Sequence, residues 1–157
     1  MNSSRREALK GTGGLAVMSL AMAAGLFKPG SAWAQQGWNK AAFETKSLND
    51  AVKAMGGSTA VENKDITITS PDIAENGAVV PFTISSKLPK TEQLALLVEK
   101  NPNILAASFT IPDGTEPSVN TRVKMGQTSN VIALVKADGK YYYATKEVKV
   151  TLGGCGG

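Results

Sequence analysis

Residues 130–136 read Asn-Val-Ile-Ala-Leu-Val-Lys, Asp138-Gly139 follows after one alanine, and residues 140–152 read Lys-Tyr-Tyr-Tyr-Ala-Thr-Lys-Glu-Val-Lys-Val-Thr-Leu. In the second run Tyr142, Ala144, Val148 and Val150 recur with a period of two, which in an extended chain sends them to one face. Asp-Gly between two such runs is a hairpin signal, because a two-residue type I′ turn needs positive φ at both central positions. The stretch therefore reads as two antiparallel strands.

Working outward, Val119, Thr121, Val123 and Met125 alternate in the same way. Strands are expected at 65–70, 78–85, 93–99, 105–111, 118–125, 130–136 and 140–152, with Asn76-Gly77 as a second hairpin signal. Pro71, Pro81, Pro89, Pro102, Pro112 and Pro117 fall at strand ends or edges, where the missing N–H is tolerated. Ahead of the strands, Leu48, Val52 and Met55 stand at i, i+4 and i+7. Ser47 with Asp50 forms a capping box and Gly56-Gly57 supplies the stop. These signals predict one short amphipathic helix at about 46–56, its stripe packed on the domain's own core. Seven short strands, regular turns and no second helix argue for a mainly β fold: an immunoglobulin-like antiparallel β-sandwich of about seven strands with a short N-terminal helix. The run Tyr141-Tyr142-Tyr143 fits a half-buried strand better than a stacking platform, since at most Tyr141 and Tyr143 share a face.

The start of the chain has a different character. Arg5, Arg6 and Lys10 precede an apolar stretch from Gly11 to Phe27, and the small-residue site Ala32-Trp33-Ala34 closes it. Charged, hydrophobic and cleavage regions in that order make a signal peptide over residues 1–34, cut after Ala34. The apolar stretch, 17 residues with four glycines, is too short and too weakly apolar for a stable membrane span. Paired arginines, with Ser4 before them and Leu9-Lys10 after, resemble a twin-arginine signal, although Ala8 stands where that class has Phe. A β-sandwich domain at 35–152 and a tail at 153–157 complete the organisation.

Charge and composition remove whole classes of function. The 157 residues carry 17 Lys+Arg against 13 Asp+Glu, a formal charge of +4. Arg5, Arg6, Lys10 and Lys28 against the single Glu7 hold most of it, so the mature chain is near neutral and has no basic stripe for nucleic acid. There is no histidine and one cysteine. Zinc, copper, haem and iron–sulfur sites are thereby excluded, as are Ser-His-Asp and Cys-His catalysis, which need an imidazole. Lysines and carboxylates are scattered with no spacing that suggests a paired catalytic site.

The remaining chemistry sits in Gly153-Gly154-Cys155-Gly156-Gly157. Glycines have no Cβ and permit any φ, so the segment is expected to be a flexible arm. Flanked in this way, a thiol and whatever it carries fit a narrow pocket in another protein. No Lys or Arg lies within the arm to stabilise a thiolate, so activation has to come from a partner. An odd cysteine in an exported chain also allows a Cys155–Cys155 disulfide dimer. A structural or adaptor sandwich joined through that bond is the alternative to a group carrier.

A twin-arginine signal, a small β-rich domain with a short N-terminal helix, and a terminal Gly-Gly-Cys-Gly-Gly resemble the SoxY family, the sulfur carriers of the periplasmic Sox system. The resemblance implies a non-enzymatic carrier with no cofactor beyond covalently bound sulfur on Cys155. It implies a heterodimer with SoxZ and transient meetings with three partners. SoxAX couples thiosulfate to the thiol as an S-thiosulfonate, SoxB hydrolyses off sulfate, and SoxCD or another acceptor takes the remaining persulfide sulfur. Gly153, Gly154, Gly156 and Gly157 would be the arm, Arg5 and Arg6 the export signal, and Ala32 and Ala34 the cleavage site. Twin-arginine substrates travel folded, so this chain is expected to fold with its second chain before export to the periplasm. Native mass spectrometry of the mature protein from the periplasm should therefore show a hetero-complex; a pure monomer there would overturn co-export.

Overall fold

The computed structural model describes residues 39–151. Among them, α1 (Lys40–Phe43) and α2 (Leu48–Ala54) precede nine strands: β1 (Ala60–Glu62), β2 (Ile66–Thr69), β3 (Ile73–Ala74), β4 (Val80–Ser86), β5 (Thr91–Val98), β6 (Leu105–Thr110), β7 (Ser118–Val123), β8 (Ser129–Ala137) and β9 (Lys140–Val150). One sheet runs β1-β9-β8-β5-β6, with β3 also paired to β9, and the second runs β2-β4-β7. The fold is mainly β, the sandwich that the sequence pattern predicts.

The larger sheet is buried on both sides. Leu94, Leu96 and Val98 of β5 pack with Val131, Ala133 and Val135 of β8 against Val80, Phe82 and Ile84 of the second sheet. The intervening Ala95, Leu97, Ile132 and Leu134 face Ala42, Ala51 and Val52 of the helices. Double burial explains why residues 94–98 and 131–135 are unbroken apolar runs while outer strands alternate. Each fully buried Leu or Val there contributes about 1.5–3 kcal/mol by leaving water.

Helix α2 ends where its sequence says it should. Ser47 accepts the Asp50 N–H at 3.1 Å and donates its hydroxyl to the Asp50 carboxylate at 2.6 Å. Gly56 takes a φ of +89° just past the C-terminus, and a Cβ on Gly57 would lie 2.5 Å from the Tyr141 ring and 2.8 Å from Val52. Only glycine lets the chain turn this close to the sheet. Leu48, Val52 and Met55 all lie in the helix-side core, as their spacing predicts. The Tyr141 hydroxyl donates to the Met55 carbonyl at 2.6 Å, tying β9 to the helix end.

Several local expectations are corrected. The single helix becomes two, because Asn39 caps a separate four-residue turn by accepting the Ala42 N–H. Strands β1 and β3 are additional, and both pair with β9 in parallel, Val61 opposite Tyr142 and Ala74 opposite Val150. Segments of three and two residues are too short to show a period, so only their distant partner strand reveals them. Asp138 and Gly139 have φ of 49° and 72°, as the type I′ turn requires. Asn76-Gly77 is no hairpin: it carries the chain from β3 in one sheet to β4 in the other, with the Asn76 side chain accepting the Ala78 N–H at 2.9 Å. Tyr141 is only 3% exposed, covered by the α2 end, so it shares no exposed face with Tyr143.

Replacing Leu96 by Ala should lower unfolding free energy by about 2–5 kcal/mol. Urea denaturation should show this as a lower midpoint at unchanged m-value. Val61→Ala, at a side chain 60% exposed, should stay within about 0.5 kcal/mol of wild type.

Candidate functional site

Cys155, the glycines Gly153, Gly154, Gly156 and Gly157, the arginines Arg5 and Arg6, and the cleavage residues Ala32 and Ala34 all lie outside the described residues. What is described is the ground from which the Cys155 segment departs, the last residues of β9. Their backbone is held on two sides. The Lys149 N–H donates to the Asp72 carbonyl at 3.0 Å and the Thr151 N–H to the Ala74 carbonyl at 3.1 Å, which is the β3 ladder. On the other side the backbone pairing of β8 with β9 ends at Ser129 opposite Val148. There the Thr128 hydroxyl takes over by accepting the Val150 N–H at 3.0 Å.

The loop after β3 closes over the same point. A Cβ on Gly77 would lie 2.5 Å from the Met125 carbonyl oxygen and 2.7 Å from Val150 Cγ1, so this loop packs directly on the strand end because residue 77 has no side chain. The Met125 N–H donates to the Gly77 carbonyl at 2.7 Å. Lys146 fixes the start of the wrapping segment by donating to the Ser70 carbonyl at 2.8 Å and pairing with Asp72 at 3.0 Å. None of these root contacts was foreseen. The one sequence signal was Asn76-Gly77, which marks a turn but not what the glycine approaches.

From Thr151 to Cys155 is four residues, so the thiol's Cα lies within about 14 Å of Thr151 Cα. A cavity of about 460 Å³ lined by Ser58, Thr59, Val61, Gly139, Lys140 and Tyr142 lies at the other end of β9. Eleven residues of strand, about 36 Å, separate that end from Thr151, so Cys155 cannot enter it. A smaller cleft of about 210 Å³, lined by Thr69, Ser70, Pro71, Pro81, Phe82 and Thr83, has no charged group on its walls. Among the described residues no three His, Cys, Asp or Glu side chains cluster as metal ligands, and no helix is long and apolar enough to cross a membrane.

Among the described residues the scattered charges form four ion pairs, and one of them shifts the titration of both partners. Lys136 Nζ lies 2.8 Å from Glu92 Oε2, and the Gly139 N–H donates to Glu92 Oε1 at 2.9 Å. The pair pins the β8–β9 turn to β5, at the end of the sandwich away from Thr151. The Lys136 ammonium, and after it the Gly139 amide, holds the Glu92 carboxyl below the usual carboxylate range, and the same carboxylate raises Lys136. Burial pushes the Tyr141 phenol up.

These shifts have signs that fix the pH dependence. Glu92, depressed when folded, stabilises the fold above its unfolded pKa of about 4.3, and that contribution is lost as pH falls through the folded value. Lys136, raised when folded, stabilises the fold below its unfolded pKa of about 10.4, and is lost as pH rises through the folded value. Lys136→Met should therefore shift Tm by a constant amount relative to wild type between about pH 5 and 9. The gap should close below about pH 4, as followed by circular dichroism.

Comparison with known proteins follows the same geometry. The family described as "Sulfur oxidation protein SoxY" matches residues 51–155. The sulfur carrier protein SoxY from Chlorobium limicola f thiosulfatophilum superposes with a TM-score of 0.61 at 39% identity, over 67% of this chain and 96% of that one. A variant of the superoxide reductase (neelaredoxin) from Ignicoccus hospitalis, 16% identical with a TM-score of 0.50 over 68% of this chain and all of that one, shares the fold alone. A search of curated proteins gives no match.

Proposed function

The chain belongs to the SoxY family of sulfur oxidation proteins, and from that premise we propose that it is a sulfur carrier which holds thiosulfate-derived intermediates covalently on Cys155. The observation that carries this reading is that the family match runs on through residue 155. It thus takes in the chain's single cysteine, five residues beyond Val150, the strand end held by Thr128 and β3.

The chemistry is divided between carrier and partners. Coupling of thiosulfate to the thiol forms an S–S bond, releases the thiol proton and passes two electrons to the c-type cytochrome complex SoxAX. Water then attacks the terminal sulfone sulfur in the dimanganese hydrolase SoxB; an S–O bond forms as the S–S bond to the sulfone breaks, sulfate leaves, a persulfide anion stays on the carrier, and the two protons of the water pass to solvent. SoxCD oxidises the persulfide sulfur further, or another acceptor takes it. The carrier is not itself an enzyme and needs no resident cofactor; it contributes a covalent handle and slender glycine flanks. Gly153, Gly154, Gly156 and Gly157 let the adduct enter enclosed sites without a Cβ clash. Covalent attachment keeps a thiol-labile adduct from being lost between enzymes.

The setting follows from the N-terminal segment. Arg5 and Arg6 direct twin-arginine export, cleavage at Ala32-Trp33-Ala34 releases the mature chain, and the periplasm is the place of action. SoxZ is the partner with which the chain folds and travels.

Intact mass of the protein from thiosulfate-grown cells, before and after mild reduction, tests the assignment. A reducible adduct of sulfur and oxygen on Cys155, absent from Cys155→Ser, is expected. Unmodified monomer and Cys155–Cys155 dimer as the only species would overturn it in favour of a disulfide-joined structural protein. Gly154→Val and Gly156→Val should leave the fold intact while slowing sulfur turnover by roughly tenfold or more, because a displaced reacting atom loses its alignment.

A further inference from the structure

We propose that Thr128 is a positioning residue for the carrier thiol: together with β3 it fixes Thr151 as the root of the Cys155 tether and so sets how far the thiol reaches. The inference rests on the carrier reading above, but its structural part does not depend on what Cys155 carries. Three features converge on the two residues before Leu152. The Val150 N–H, left without a backbone acceptor where the β8 ladder stops, is taken by the Thr128 hydroxyl at 3.0 Å. The Thr151 N–H is taken by the Ala74 carbonyl at 3.1 Å, from a strand only two residues long whose register matches Ile73 to Lys149 and Ala74 to Val150. The Val150 side chain lies against Gly77, where any Cβ would stand 2.7 Å from it.

A strand end would ordinarily fray once its neighbour's ladder stops, because terminal hydrogen bonds exchange readily with water. Here the chain spends a two-residue parallel strand, a glycine contact and one hydroxyl on holding the final turn of ladder. These contacts bury little further surface: Ile73 is 56% exposed, and Lys149 and Thr151 are also exposed. Their effect is to define one position rather than to build core. Holding the root at Thr151 keeps Cys155 within about 14 Å, and release back to Lys149 would add two residues and about 7 Å.

Thr128→Val removes the hydroxyl acceptor at nearly constant shape, and Thr128→Ser restores it. Hydrogen exchange in the full mature chain should show protection of the Val150 and Thr151 amides falling about tenfold in Thr128→Val, as expected for one lost hydrogen bond. The β5 and β8 amides should be unchanged, and Thr128→Ser should recover the protection. A nitroxide on Cys155 paired with one at Lys140→Cys, an exposed site at the far end of β9, reads the tether directly. The distance distribution should broaden and its upper edge move out by up to about 7 Å in Thr128→Val only. Unchanged exchange and distances would overturn the proposal. A uniform loss of protection across all strands would also overturn it, by making Thr128 a general stabiliser. Absence of any sulfur adduct on wild-type Cys155 would instead defeat the carrier reading while leaving these two measurements valid for the tether.

Discussion

Packing of β9 is the constraint from which the rest of the architecture follows: one face enters the core between the sheets along its length, and the other is covered only at its start. Its even-numbered residues Tyr142, Ala144, Val148 and Val150 enter the core between the sheets, and Tyr141 and Tyr143 enter the core under the helices. Beyond Tyr143 the odd-numbered residues Thr145, Glu147 and Lys149 are exposed, so a slip of one residue would carry charged side chains into the core and the register is fixed. Every neighbour is then placed by it: β8 through the Asp138-Gly139 turn, β1 at its start, β3 at its end. Helix α2 is held to it by the Tyr141 hydroxyl on Met55. The position of Thr151, the last described residue, is therefore set by the same packing that makes the sandwich.

That arrangement separates two requirements that oppose one another in a carrier. On the reading proposed above, a thiol that enters several enclosed sites cannot sit in a packed core, and a domain recognised by several partners cannot be loose. The sandwich places its apolar residues in two continuous cores and leaves only Val61, Ile73 and Val79 as large exposed hydrophobics among the described residues. The thiol stands in sequence four residues past Thr151, among glycines that add no bulk. Within the described sandwich the charges serve the frame: Glu92 with Lys136 pins a turn and Lys146 with Asp72 pins the segment that leads into β3.

What could be read from the sequence sorts by range of interaction. The hairpin turn at Asp138-Gly139, the Ser47 cap and the alternation of residues 119–125 are local signals, and the structure has each of them in place. The doubly buried runs were legible as strands but not as central ones, since continuous hydrophobicity says that both faces are covered and not by what. Strands β1 and β3 carry no local signal at all, because their stability comes from β9, some 75 to 80 residues away in sequence. The same limit hid the root of the Cys155 segment. Thr128, Gly77 and Asp72 are ordinary loop residues until the fold brings them to Val150. Cys155 stands out in the sequence for the opposite reason: five residues of such composition offer no core side chain, which leaves chemistry as the expectation, and they lie outside the described residues.

The solitude of the cysteine is itself part of the design. A chain with a second thiol within reach would resolve any persulfide or thiosulfonate on the first by forming an intramolecular disulfide and expelling the cargo. This chain has one cysteine in 157 residues, so on the proposed carrier reading the thiols that would displace the cargo belong to other molecules. Loss of cargo then becomes a matter of encounter, which depends on how far the tether lets the thiol travel from its own domain. On that proposal, four residues of chain beyond a fixed Thr151 would limit such encounters to partners that dock close to the end of β9, and the hydrogen bonds that hold Val150 and Thr151 would bear on the lifetime of the adduct as well as on its delivery.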